Sequence, residues 1–176
     1  MLDASAVRIT LDNFCGNESV TITSAFLAKS DGANGIVPDT IVPLQFNRNA
    51  SVTIPAGERI KSDAVSFPIK RGEKLAVSLY FADFTEMRSG VMITGSMSQG
   101  YFAVGDQTQA EHLHPDTSKK THTFYFLSDI EVLTNEKNRT VICFGDSITA
   151  QAWPDDLIQR VLKDGDGTTA IIRKAA

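Results

Sequence analysis

Thr140-Val-Ile-Cys-Phe-Gly-Asp-Ser-Ile-Thr149 is the stretch of this sequence that decides the predicted fold. Its four apolar residues, 141–144, run without interruption into a Gly-Asp-Ser turn, which is typical of a strand buried on both faces. A turn directly after such a strand presents its side chains at the strand's carboxyl end. The stretch therefore indicates Ser147 as a candidate nucleophile, with Gly145 and Asp146 shaping the turn.

A helix and a second strand are predicted directly after this turn. Pro154 suits a first helical turn, Asp155 favours the amino-terminal end of a helix, and Lys163 favours the last turn. Residues 168–172 then predict another strand. The order strand, helix, strand is the opening unit of a parallel α/β sheet. The apolar face of the predicted helix comprises Trp153, Leu157, Ile158, Val161 and Leu162.

Short strands separated by turns are predicted from the amino terminus to about residue 128. Residues 7–11 alternate apolar with polar side chains, and the alternation resumes at residues 20–24 after a turn, so the segment predicts a hairpin. Leu75–Phe81 alternates in the same way. Many short strands with glycine and proline turns favour an antiparallel sandwich of jelly-roll or Greek-key type. The polar residues 134–139 are the predicted domain boundary.

The Gly-Asp-Ser block, with the strand before it and a Trp-Pro-Asp-Asp-Leu helix after it, resembles the first motif block of the SGNH hydrolases, also called GDSL-type esterases and lipases. The part before it is similar to the β-sandwich that some members carry ahead of the catalytic domain. The segments that carry this similarity are Arg8-Ile-Thr-Leu-Asp-Asn-Phe-Cys-Gly16, Ile41-Val-Pro-Leu-Gln-Phe46, Pro55-Ala-Gly57, Ser62-Asp63 and Leu75-Ala-Val-Ser78.

The resemblance implies a fold in two parts. A jelly-roll-like β-sandwich is expected over residues 1–133, followed over residues 139–176 by the first strand-helix-strand unit of an SGNH α/β/α (flavodoxin-like) domain. The catalytic domain would be incomplete in this chain. Two strands and one helix cannot cover both faces of a parallel sheet, so other strands would have to come from elsewhere.

The resemblance also implies site roles. Ser147 matches the family's nucleophile, and its backbone N–H would be one donor of the oxyanion hole. Gly145 and Asp146 match the motif residues that help to shape the turn around the nucleophile. Asp146 does not match the aspartate of the catalytic triad. The catalytic histidine and aspartate, and the oxyanion glycine and asparagine, belong to later blocks of the family, and residues 148–176 contain no histidine. We therefore expect a serine esterase that needs a missing carboxyl-terminal portion or a separate polypeptide, uses no cofactor, and is inactive as this chain alone.

Three alternatives to these assignments remain open. Ser147 could simply cap a helix while Asp146 bonds the backbone of a turn. His112 and His114, with Asp116 or His122, could hold zinc, although a polar loop explains them better and no metal site is assigned. One of these histidines could also act on Ser147, because order along the chain does not constrain such triads.

A different class of function is also open: a carbohydrate- or protein-binding β-sandwich module with an inactive α/β remnant. A row of exposed aromatic side chains would favour it. The candidates are Tyr80, Tyr101, Phe102 and Tyr125.

The charge and hydropathy of the sequence exclude some classes of partner. The net charge of −4 with scattered basic residues lacks the basic patch of a nucleic-acid-binding protein. No apolar run approaches the length of a membrane span, and the start of the chain does not resemble a secretory signal. We expect a soluble protein of undetermined location that acts on a small-molecule or carbohydrate ester, and the sequence does not specify which ester.

Overall fold

The computed structural model describes residues 2–82, 84–134 and 137–175. It contains a short 3₁₀ turn at Pro38–Thr40 and one α-helix among these residues. Its strands and helix are β1 (Ala4–Asp12), β2 (Val20–Lys29), β3 (Val42–Pro43), β4 (Val52–Ile54), β5 (Arg59–Lys61), β6 (Val65–Ile69), β7 (Leu75–Phe81), β8 (Gly90–Met92), β9 (Gly100–Ala103), β10 (Ser118–Thr121), β11 (Thr123–Tyr125), β12 (Leu127–Leu133), β13 (Arg139–Gly145), α1 (Trp153–Lys163) and β14 (Thr169–Ala175).

Two four-stranded antiparallel sheets form the main body, which we call the sheet pair. In the first sheet β1 pairs with β12, β5 and β6, and in the second β2 pairs with β3, β4 and β7. Alternation along the strands places one face of each sheet against the other. The shared core comprises Val7, Ile9, Leu11, Val20, Ile22, Ala25, Leu27, Leu44, Phe46, Val52, Ile54, Phe67, Ile69 and Phe126.

The hairpin predicted from residues 7–24 is wrong. Strands β1 and β2 lie in different sheets and do not pair with each other. Their apolar side chains, such as Ile9 and Ile22, are both fully buried in the one core. The two strands therefore pack face to face, because each uses its apolar face to bury the other.

A long interrupted hairpin extends from the sheet pair. Strand β8 pairs with β11, and β9 pairs with β10, in two separate antiparallel ladders. The base of the hairpin is joined to the sheet pair where the Phe126 N–H donates to the Ser89 carbonyl at 2.9 Å and the Asp12 N–H donates to the Phe126 carbonyl at 2.7 Å.

Strand β13, helix α1 and strand β14 form a carboxyl-terminal unit. The two strands pair in parallel from Arg139 opposite Thr169 to Gly145 opposite Ala175. Asp166 fixes the start of this register, because its carboxylate accepts hydrogen bonds from the Thr169 hydroxyl and from the guanidinium of Arg139. These hydrogen bonds hold the pKa of the Asp166 carboxyl well below its ordinary value, and the bond from the Thr169 hydroxyl has the largest effect.

The fold-class prediction is wrong. The chain is 47% strand and 8% helix, its sheets are small and mostly antiparallel, and no flavodoxin-like α/β/α domain is present in the described residues. As far as the structure describes the chain, the parallel sheet has two strands and a single helix beside it, too few to build three layers. Residues 141–144 were expected to be buried on both faces, but only Cys143 among them is buried, because among the described residues β13 pairs with β14 alone.

The carboxyl-terminal unit is held against the sheet pair and its hairpin by specific polar contacts. The Thr94 N–H donates to the Ala150 carbonyl at 3.2 Å. Arg71 Nη2 donates to the carbonyls of Val161 and Leu162 at 2.7 and 3.2 Å, which satisfies carbonyl groups at the end of α1. The predicted division at residues 134–139 stays a prediction, and residues 135 and 136 lie outside the described residues.

Candidate functional site

Ser147 lies in a turn directly after the carboxyl end of β13. The carboxylate of Asp146 accepts the Ile148 N–H at 3.0 Å, and the Asp146 carbonyl accepts the Thr149 N–H at 2.9 Å. Asp146 therefore shapes the turn through local bonds. Ser147 itself is exposed, and among the described residues neither its hydroxyl nor its N–H has a hydrogen-bond partner. Both groups are thus open to a molecule that approaches from solvent.

The tightness of this turn explains why glycine stands at position 145. A Cβ atom on Gly145 would lie 2.4 Å from the Thr149 Oγ1, which is too close for non-bonded atoms. Thr149 is buried, so its side chain has little room to move away. The Gly-Asp-Ser-Ile-Thr spacing is therefore a packing requirement of the turn as well as a motif.

A buried ion pair holds the segment that follows Ser147. Asp155 Oδ1 and Arg173 Nη2 lie 2.5 Å apart, and the two side chains are 3% and 12% exposed. The other carboxylate oxygen accepts the Met97 N–H at 2.9 Å, and Arg173 also donates to the Gln151 carbonyl at 3.2 Å. One pair thus joins the start of α1, strand β14 and the loop after β8.

This loop approaches Asp155 closely at Gly95. A Cβ atom on Gly95 would lie 2.1 Å from Asp155 Oδ2, so only glycine allows the contact. Sequence analysis interpreted Asp155 merely as an acidic residue of the first helical turn. It missed the pairing because Gly95, Asp155 and Arg173 have no shared motif or spacing.

No histidine is hydrogen-bonded to Ser147 within the described residues. The His112 Nδ1 lies 3.6 Å from a carboxylate oxygen of Asp31, far along the chain from β13. His114 Nδ1 accepts the Asp116 N–H at 3.3 Å. His122 follows β10, where its carbonyl accepts the Ile93 N–H at 2.8 Å. The structure therefore brings Gly145, Asp146 and Ser147 together, and in the described part of the chain no histidine is hydrogen-bonded to this serine.

The same three histidines were considered as zinc ligands. In the described part of the chain, no three side chains of histidine, cysteine, aspartate or glutamate are grouped so as to hold a metal ion. The contacts of His112 and His114 are with neighbouring loop carboxylates at 3.6–3.9 Å. Such contacts are typical of histidines in a polar surface loop.

The aromatic side chains considered for a binding module have different environments. Tyr80 on β7 and Phe102 on β9 are exposed, but they lie on different sheets. Tyr125 packs against the core of the sheet pair, and the Tyr101 hydroxyl donates to Gln99 at 2.8 Å. The binding-module hypothesis stays a prediction without a specific contact in its favour.

Within the described residues, no helix has the length and apolar character needed to cross a lipid bilayer. Comparison of the chain with models of protein families and with curated proteins finds no match.

Proposed function

We propose that Ser147 is the nucleophile of a serine ester hydrolase whose base and further oxyanion donors are supplied by polypeptide outside residues 1–176. The observation that carries the proposal is the position of Ser147: exposed, in a tight turn, at the carboxyl end of a parallel strand. Ligands of open α/β sheets bind at that end of the strands. The resemblance of the Gly-Asp-Ser block to SGNH hydrolases supplies the reaction class.

The proposed chemistry has two steps. The Ser147 hydroxyl passes its proton to the base as its oxygen attacks the ester carbonyl, and the base returns the proton to the alcohol that leaves. Water then attacks the acyl-serine and gives one proton to the same base, and the base returns that proton to the Ser147 oxygen as the acyl bond breaks and the carboxylic acid is released. The Ser147 N–H would stabilise the carbonyl oxygen as negative charge grows on it, and each further donor that is absent typically costs about 10² to 10³ in rate.

A base from another polypeptide is favoured by the contacts of this chain's own histidines. The rings of His112 and His114 contact residues of a distant loop, and within the described residues none of the three histidines is hydrogen-bonded to Ser147. A serine without a base is a weak nucleophile at neutral pH. The substrate is therefore expected to react only in a complex, and we propose a small-molecule or carbohydrate ester as its class.

The surface of the carboxyl-terminal unit is suited to such a complex. Ile142 and Phe144 on β13 are 59% and 85% exposed, although both are large apolar side chains on a strand. The whole chain has 10275 Å² of accessible surface, whereas a self-contained protein of its mass has about 8,400 Å². This excess is larger than one partner's share, about 800 Å², in a specific interface.

Complementation tests the proposal. The chain is mixed with the polypeptide encoded directly after the codon for Ala176, and release of para-nitrophenol from para-nitrophenyl acetate is followed. We expect the mixture to hydrolyse the ester and each polypeptide alone to be inactive, because the nucleophile and the base are then on different chains. A mixture no faster than the sum of its parts would contradict the proposal.

A further inference from the structure

Strand β13 has a free edge. It pairs in parallel with β14 along its whole length, and among the described residues it pairs with no other strand. The backbone N–H and C=O groups on its other edge therefore have no strand to bond. Because a sheet of two strands is only marginally stable, such an edge is a template for a further strand.

The free edge of β13 lacks the usual protection against pairing with another molecule. Proteins protect such edges with charged residues, proline or a bulge. Residues 140–145 contain no charged residue and no proline, and the register with β14 has no shift. The charge of Arg139 is already paired with Asp166 at 2.9 Å. Since Ile142 and Phe144 are exposed, the edge is both open and apolar.

The other edge strands of the same length differ from β13. Strand β12 carries Asp129 and Glu131, and charged residues discourage pairing between molecules. All residues of β7 and β14 line a cleft between the sheet pair and the carboxyl-terminal unit, whereas only Thr140 of β13 does so. Strands β7 and β14 are therefore recessed, and β13 presents the more accessible edge.

The sequence of β13 is compatible with an antiparallel copy of itself. Pairing about a two-fold axis at Ile142 places this residue opposite the Ile142 of the second copy. Like charges do not lie opposite each other at any position of this register. Apolar and β-branched side chains that lie opposite each other stabilise an antiparallel pair. The other opposite pairs are Val141 with Cys143, Thr140 with Phe144 and Arg139 with Gly145.

We propose that two copies of this chain associate through β13, which pairs antiparallel with β13 of the second copy and joins the two parallel sheets into one sheet of four strands. A closed dimer needs a self-complementary surface of this kind. The accessible surface of the chain also exceeds that of a self-contained protein of its mass by more than the roughly 800 Å² that each partner buries in a specific interface.

The inference does not rest on the proposed function, because the pairing needs no catalysis and no second kind of polypeptide. Ile142 and Phe144 are also the side chains that suit the surface to a completing polypeptide. In a mixture, the completing polypeptide and a second copy would therefore compete for this surface.

Sedimentation velocity of the chain alone, over a range of concentrations, measures the association. We expect a species of twice the 19.1 kDa chain that dissociates on dilution. Ile142→Lys places two ammonium groups opposite each other at the axis, and we expect it to weaken association by about tenfold. Leu133→Lys is the matched control, because Leu133 on β12 is 61% exposed and Ile142 is 59% exposed. It should associate as the unaltered chain does.

A disulfide test examines the register. Residues directly opposite each other in an antiparallel pair have Cβ atoms about 4.5–5.5 Å apart, close to the separation across a disulfide. Cys15→Ser first removes the exposed native thiol. In that background we expect Ile142→Cys to form a disulfide-linked dimer under mild oxidation, and Leu133→Cys to form none. A denaturing gel without reducing agent separates the linked and unlinked chains.

Four results would overturn the proposal. They are a monomer at every concentration, open aggregates in place of a dimer, equal association of Ile142→Lys and the unaltered chain, and equal cross-linking of the two cysteine variants. If circular dichroism shows that Ile142→Lys is unfolded, the cross-linking of Ile142→Cys decides the same point.

Discussion

Replacement of Ser147 by alanine is expected to lower the esterase activity of the complemented chain by at least about 10⁴-fold, because no acyl-enzyme can form without the hydroxyl. Ser147 is exposed, and within the described residues its hydroxyl has no hydrogen-bond partner, so the change removes no structural contact. Affinity for the completing polypeptide should therefore be unchanged. The measurement is the rate of para-nitrophenyl acetate hydrolysis at saturating partner.

Ser66→Ala is the matched control, since Ser66 is an exposed strand serine in the sheet pair. It should hydrolyse the ester at the rate of the unaltered complex. Equal activity of Ser147→Ala and Ser66→Ala would refute the nucleophile assignment. A Ser147→Ala variant that failed to bind the partner would show that the turn itself is the interface, and the assignment would then have no support.

Replacement of Asp155 by alanine is expected to lower the free energy of unfolding by about 3–5 kcal/mol, because it leaves the buried guanidinium of Arg173 without its carboxylate. The two side chains are 3% and 12% exposed, so water cannot replace the lost partner easily. The Met97 N–H loses its acceptor in the same variant. Urea unfolding followed by circular dichroism measures the change.

Asp164→Ala is the control for this prediction. Asp164 pairs with Arg160 one turn earlier on α1, and both side chains are more than half exposed. An exposed pair at this spacing contributes about 0.3–0.5 kcal/mol, so its loss should be small. If Asp155→Ala cost no more than Asp164→Ala, the ion pair would not be what joins the carboxyl-terminal unit to the hairpin loop.

Local structure was largely predictable from the sequence, whereas the arrangement of the strands was not. Alternation at Leu75–Phe81 predicts a strand, and the structure forms β7 there. The alternation in β1 and β2 could not distinguish two strands paired in one sheet from two strands packed across a core, because both arrangements need one apolar face. The expected α/β/α domain was wrong because a strand-helix-strand pattern does not say how many strands complete the sheet.

The same limit applies to the candidate site. The Gly-Asp-Ser pattern indicated the turn at Ser147, and the close contact of Gly145 with Thr149 supplies its physical reason. The ion pair that holds the segment after Ser147 could not be predicted, because Asp155 and Arg173 come together only when α1 packs against β14.

The most direct measurement of the central claim is the location of a covalent adduct after the complemented chain is treated with a fluorophosphonate. Such reagents react with a serine that has been activated by a base. Peptide mass spectrometry should find the phosphonyl group on Ser147, and no adduct should form on the chain alone. Complete loss of esterase activity with an unmodified Ser147 would contradict the account.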